Sequence, residues 1–315
     1  MKFRTEIEIG KSIHKIEHKH KILTIGSCFA DNIGEKFSSL KFQILQNPFG
    51  VLFNPQSILN SIEISLENRL FNENDLFFHK GEFHSFFHHS SFSSHKLDEI
   101  LDKINSTTKQ TNKFLNEVDW VILTFGTSFV YKHLEKGIVV SNNHKLPENQ
   151  FERRKLTNFE TTQIISKTIK LIKNQNLKAK IIVTVSPVRH WKDGAIENQR
   201  SKANLILALE KIETECKDVV YFPSYELLLD DLRDYRFYGS DLIHPSEEAI
   251  NYIWEKFSDT FFDETTLEII KRIEKIVQAQ NHKIRNPESE EGKNFLTNLN
   301  KQISEIENEF DYIKF

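Results

Sequence analysis

Short apolar runs that each stop at a Gly, Ser or Pro turn alternate with stretches of helical period, and this rhythm most constrains the fold. The first run, Lys21 to Ile25, meets Gly26-Ser27 and is followed by Phe29, Ile33 and Phe37 at spacing four. That pattern predicts a strand, a tight turn and a helix. Four more runs follow: Phe42 to Leu45, Trp120 to Phe125, Lys180 to Val185 and Val219 to Phe222. Asn47-Pro48-Phe49-Gly50, Gly126-Thr127-Ser128, Ser186-Pro187 and Pro223-Ser224 end them in turn. Pro55 opens a helix through Ile58, Leu59 and Ile62. Ile164, Ile165, Ile169 and Ile172 form a second helical stripe, and Leu205, Leu209 and Ile212 a third. A strand that is apolar on both sides must be buried on both faces, so the expected core is a parallel sheet covered by helices. In such a sheet ligands bind at the carboxyl ends of the strands, where the turn residues gather.

Two segments break the rhythm. Residues 66–112 hold seven phenylalanines and five histidines, and read as an insertion of mixed structure over one end of the sheet. After residue 262 the chain becomes helical and charged, with a break at Asn286-Pro287. The expected division is therefore a domain over 1–262 and a helical extension over 263–315. In the extension Leu296, Leu299, Ile303, Ile306, Phe310 and Ile313 step by three and four. This stripe either docks onto the same chain or forms a homodimer seam.

With 42 Lys+Arg against 45 Asp+Glu, the net charge is −3 and no long basic block exists, which disfavours a nucleic-acid partner or an anionic membrane surface. No window reaches the length of a membrane span, and MKFRTEIEIG lacks the apolar core of a signal peptide. Only Cys28 and Cys216 are present, too few for a disulfide framework or zinc ribbon. The expectation is a cytoplasmic protein with free thiols.

Ser27 stands where the first strand turns into the first helix. A serine there is expected at the exposed sheet edge, its own N–H and the helix N-terminus offering positive potential to an oxyanion. It can equally be an N-cap. Asp241 and His244 lie three apart in Gly239-Ser240-Asp241-Leu242-Ile243-His244-Pro245, with Pro245 expected at a first helical position. That spacing lets the carboxylate reach Nδ1 and leaves Nε2 free to act as a base on a serine. Cys28 at the helix start is either a nucleophile or an apolar packing residue, and Asp31 and Glu35 read as a solvated face. His84 and His88, at i and i+4, have a metal-site spacing on a helix. FHSFFHHSSF offers no accompanying glutamate or cysteine, so its histidines read as a pocket wall or as packing in a small subcore, His84 or Ser85 can face a substrate, and no metal is expected.

These residues resemble the GSCFA family, a branch of the SGNH/GDSL-like hydrolase superfamily, through Gly26-Ser27-Cys28-Phe29-Ala30. Further stretches are similar in the same order: Asn47 to Pro55, Phe125 to Tyr131, Ser186 to Trp191, Glu197 to Lys202 and Asp241 to Pro245. The resemblance runs along the first 260 residues and leaves the last 50 uncovered. It implies a three-layer α/β/α sandwich with a flavodoxin-like parallel sheet, Ser27 as nucleophile, and His244 with Asp241 as base and acid. The implied activity is hydrolysis or transfer of an ester-linked acyl group, on a glycan or small metabolite, without a cofactor. The superfamily's oxyanion asparagine is replaced by Ser128 in Gly126-Thr127-Ser128, and Gly50 matches its second-block glycine. Asn47, Asn54, Arg189 or Asn198 can supply the missing donor, and His190 can line the same cleft. Arg189 can instead clamp a substrate carboxylate or phosphate, or close a salt bridge in the core.

Overall fold

The computed structural model describes residues 4–282 and 289–315. Its centre is a five-stranded parallel sheet of β1 (Lys21–Gly26), β2 (Gln43–Gln46), β5 (Trp120–Phe125), β9 (Lys180–Val185) and β10 (Val219–Tyr221), in the order β10-β9-β5-β1-β2. All four pairings are parallel. The two apolar faces are distinct cores. Leu23, Ile25, Val121, Leu123, Ile181 and Val183 face α2 (Pro55–Leu66), α3 (Leu97–Glu117), α4 (Asn158–Gln175) and α5 (Gly194–Glu215). Ile22, Trp120, Ile122 and Ile182 face α1 (Cys28–Ser39) and α7 (Glu247–Phe261). Alternate residues of one strand therefore serve opposite layers, which is why each run had to be apolar throughout. This is the three-layer sandwich, and it aims the strand-end turns at one edge.

The segment after α2 divides differently from the expected 66–112 insertion. A hairpin of β3 (Phe77–His79) and β4 (Glu82–His84) leads through short turns to α3, whose Ile100, Ile104 and Leu115 are fully buried in the sheet core. The second half is thus a sheet-covering helix, and only the hairpin side is an addition. Between β5 and β9 the chain also inserts an antiparallel meander, β6 (Phe129–His133), β7 (Val139–Val140) and β8 (Phe151–Lys155). Phe86 packs against its Val140 and Phe151 in a small separate core.

After the short α6 (Ser224–Glu226), Leu227–Leu232 continues as a wide helical turn that packs on the α1–α7 layer. In the extension α8 (Glu264–Asn281) contributes Leu267 and Ile270 to that layer, while its Ile273 and Ile276 meet Leu299 and Ile306 of α9 (Glu290–Glu309). The apolar stripe is thus largely used within the chain, with Leu296 left exposed. Asn286-Pro287 lies outside the described residues. No helix among the described residues is long and apolar enough to cross a membrane, and both cysteines are free.

Candidate active site

Gly26 ends β1 at φ 152°, and a Cβ there would lie 2.1 Å from the Thr124 carbonyl oxygen. Only glycine lets β1 and β5 approach this closely while the chain swings into α1. Ser27 then occupies the N-cap position of α1 but caps nothing: its hydroxyl has no hydrogen-bond partner and the residue is fully buried. Its amide donates to the Thr124 carbonyl at 3.1 Å. The amide expected to hold an oxyanion is therefore engaged in the protein, and the serine expected at an exposed edge lies beneath the surface.

Asn47 is a splint. Its Oδ1 accepts the Gly26 N–H at 2.8 Å and its Nδ2 donates to Asp31 Oδ1 at 2.6 Å, with its own backbone at φ 35°. Asp31, expected on a solvated face, thereby ties the β2 loop to α1. Gly50 (φ 73°) donates its N–H to the Asn47 carbonyl, and a side chain there would strike the His89 Cβ at 2.3 Å. Asn54 caps α2, accepting the Ser57 N–H at 2.9 Å.

The β5 loop is equally occupied. Gly126 and Thr127 both donate their N–H groups to the Phe53 carbonyl. Ser128, in the slot of the superfamily's asparagine, is fully buried and spends its N–H and hydroxyl on Ser201 Oγ at 2.8 and 3.1 Å. Thr127 Oγ1 bonds the same Ser201 oxygen at 2.9 Å. Three side chains near the start of α5 hold these loops. Besides Ser201, Asn198 Oδ1 accepts the His190 N–H at 2.9 Å and Lys202 Nζ donates to the Ser186 carbonyl at 2.6 Å. Lys202 is fully buried with no carboxylate beside it, and desolvation brings its amine down to about 7. His190 packs against Gly126 with its Nε2 buried and unpartnered. Burial, then the charge of Lys202, lowers it to about 3, so it stays neutral.

His244 sits on the opposite rim. Its Nδ1 lies 2.6 Å from Asp241 Oδ2, while Asp241 Oδ1 accepts the N–H groups of Ile243 and His244 at 2.9 and 3.0 Å. These bonds, led by the imidazole, hold the Asp241 carboxyl well below the usual carboxylate range. Pro245 bridges to Tyr238 rather than opening a helix; Ser246 is the N-cap and α7 starts at Glu247. About half of each side chain of the pair is exposed.

Between the two sides lies a cavity of about 610 Å³ lined by Cys28, Asn54, Thr127, Arg189, His190 and His244 among others. Cys28 lines it but its chain neighbour Ser27 does not, and no hydrogen bond joins Ser27 to His244. Burial and the Asp31 charge push the Cys28 thiol up, which disfavours a thiolate nucleophile. His84 lies elsewhere: both ring nitrogens are bonded, to Ser93 Oγ and the His79 carbonyl, in the aromatic subcore. His88 stacks on Phe49 off any helix, and the described residues contain no cluster of three or more His, Cys, Asp or Glu fit for a metal. Ser201 and Lys202 fall in the Glu197 to Lys202 stretch of the family resemblance, but no site role was expected of them. The available signal was a polar series, Asn198, Ser201 and Lys202, leading into the apolar stripe that starts at Leu205.

The fold and this edge define an α/β sandwich with a serine after β1 and an Asp-His pair after β10. The chain belongs to the GSCFA family, whose model matches residues 21–257. The model of the GSCFA domain protein C-terminal domain matches residues 273–315, so the extension too has a family counterpart. Among solved structures, the chain is similar to a carbohydrate esterase family 3 protein from Talaromyces cellulolyticus (TM-score 0.36, 8% identity, 81% of this chain and 99% of that one). It is also similar to a family 3 carbohydrate esterase of Clostridium thermocellum (0.33, 14%, 80% and 98%). A third is the acetyl xylan esterase Est2A of Butyrivibrio proteoclasticus (0.30, 11%, 78% and 66%). No curated protein sequence matches the chain.

Proposed function

We propose that the protein is a serine-dependent hydrolase of acyl esters, with Ser27 as nucleophile, His244 as base and Asp241 as the group that orients it. The observation that carries this reading is Ser27 itself. It takes an N-cap position and leaves its hydroxyl without a partner, so helix capping does not explain the residue. His244 meanwhile has Nδ1 fixed by Asp241, which leaves Nε2 as the free nitrogen.

In the reaction Ser27 Oγ attacks the acyl carbonyl as His244 Nε2 takes its proton, and Asp241 stabilises the imidazolium. The proton returns to the leaving alcohol as the ester C–O bond breaks. Water, deprotonated by His244, then attacks the acyl-serine; the acyl–Oγ bond breaks, Ser27 Oγ takes the proton back from His244 and the acid leaves. With a second alcohol in place of water, the same residues perform acyl transfer. Because Ser27 is buried, the wall at Cys28 and the His244 rim must shift to admit the carbonyl. Acetyl groups on a glycan or a small metabolite suit a cavity of this size walled by Phe129, Tyr131 and Trp191.

Ser27 burial favours a second reading, a ligand-binding protein that retains the fold. Fluorophosphonate labelling separates the two. The hydrolase reading expects a stoichiometric adduct on Ser27 that is lost in Ser27→Ala and strongly slowed in His244→Ala. Folded protein that takes no label supports the binding protein.

A further inference from the structure

The cleft is cationic in a chain that is not. Asp+Glu outnumber Lys+Arg, 45 to 42, yet Arg153, Arg189 and Lys192 line the cavity and no carboxylate does. Two of these cations are neutralised from outside the lining: Arg153 forms a two-pronged pair with Asp193, and Lys192 bonds Glu148 at 2.8 Å. Arg189 has no ion pair among the described residues, so it closes no salt bridge. Its guanidinium lies 4.0 Å over the Trp191 ring and 5.6 Å from that of Tyr238. Stacking fixes its plane between this cleft and a second cavity of about 230 Å³, lined also by Tyr238 and Asp234, and leaves unbonded N–H groups. Of five donors, one is used, Nη1 to the Leu242 carbonyl at 3.1 Å.

We infer that the ester admitted to this cleft carries an anionic group, a carboxylate or a phosphate, held by Arg189. This rests on the hydrolase reading for the ester and on Arg189 alone for the anion. An uncompensated, flattened guanidinium at a cavity wall is a fork for a planar or tetrahedral anion. Its place also matters, because Arg189 is tied to the loop that ends at His244. The Leu242 carbonyl takes its side-chain bond and the Ile243 carbonyl its backbone N–H at 3.2 Å. An anion on Arg189 thus sits on the same frame as the base, and positions the scissile carbonyl relative to it.

The test titrates the folded protein with benzoate, phenyl phosphate and neutral benzyl alcohol, followed by protein-observed NMR, and repeats it with Arg189→Ala, Arg189→Gln and Arg189→Lys. Wild type should bind at least one anion more tightly than the alcohol, and the alanine and glutamine variants should lose about 10–100-fold in affinity for it. Lysine keeps the charge without the fork and should fall between. The tighter of the two anions identifies the group. Equal binding of anions and alcohol by wild type, or undiminished anion binding in both neutral variants, overturns the inference. The kcat/KM ratio of 4-acetoxybenzoate to its methyl ester should fall by the same factor in the neutral variants, which a role confined to holding the loop would not produce. Anion binding intact without Ser27 labelling sinks the hydrolase reading alone. Labelling intact without anion preference sinks this inference alone.

Discussion

The two sides of the cleft are built in opposite ways. On the floor, Ser27, Asn47, Ser128, Ser201 and Lys202 are buried, and all but the Ser27 hydroxyl have their polar side-chain atoms bonded within the protein. On the rim, Asp241 and His244 are half-exposed and held by one short loop, braced at Arg189. On the proposed reading, the nucleophile belongs to the buried, bonded side and the base to the exposed one. On that reading the reacting atoms are set on one side only, and a shift of the rim would complete the site.

The largest expected effect tests that division at its centre. Ser27→Ala should lower kcat by about 10⁴–10⁶-fold, whereas Asp241→Asn, which changes the rim alone, should cost about 10²–10⁴-fold. Steady-state rates on a good acyl ester measure both, and equal losses would mean the rim is as preset as the floor. Next comes stability. Gly26→Ala forces a methyl into the Thr124 carbonyl and should destabilise the fold by about 3–5 kcal/mol in denaturant titration. A variant as stable as wild type would show that the floor yields.

A pH experiment sharpens the same contrast. The Lys202 amine is held at about 7 in the fold against about 10.4 in an unfolded chain. Between those values the unfolded chain binds the extra proton, so stability attributable to this group rises with pH from 7 to 10. Below pH 7 the full penalty of burying the ammonium is present. Lys202→Met should therefore be more stable than wild type at pH 6, and the gap should shrink towards pH 10. A pH-independent difference would show that the amine does not titrate in this range. The smallest effect is Asn54→Ala, which removes the α2 cap and should cost about 1 kcal/mol.

Much of the fold was legible because the central strands are buried on both faces. Lys180 to Val185 and Trp120 to Phe125 match β9 and β5 residue for residue. The meander was not legible: FVYKH and FERRK carry charged residues and only short apolar content. In α3, Thr108 and Thr111 are buried on the stripe between Ile104 and Leu115, which broke the apparent period. In the site, the Asp241-His244 contact follows from spacing along one loop. The burial of Ser27 and the loss of Ser128 to Ser201 depend on partners up to 97 positions away, such as the Thr124 carbonyl that takes the Ser27 amide, and no local pattern reports them.

The start of α5 reaches two loops at once, the one after β5 through Ser201 and the one after β9 through Asn198 and Lys202. It works as a common mount, so a small rotation of that helix would displace the His190, Ser128 and Ser186 segments together. Substitutions at these three positions should accordingly fail to add, and the cleft would lose its shape as a unit rather than one contact at a time.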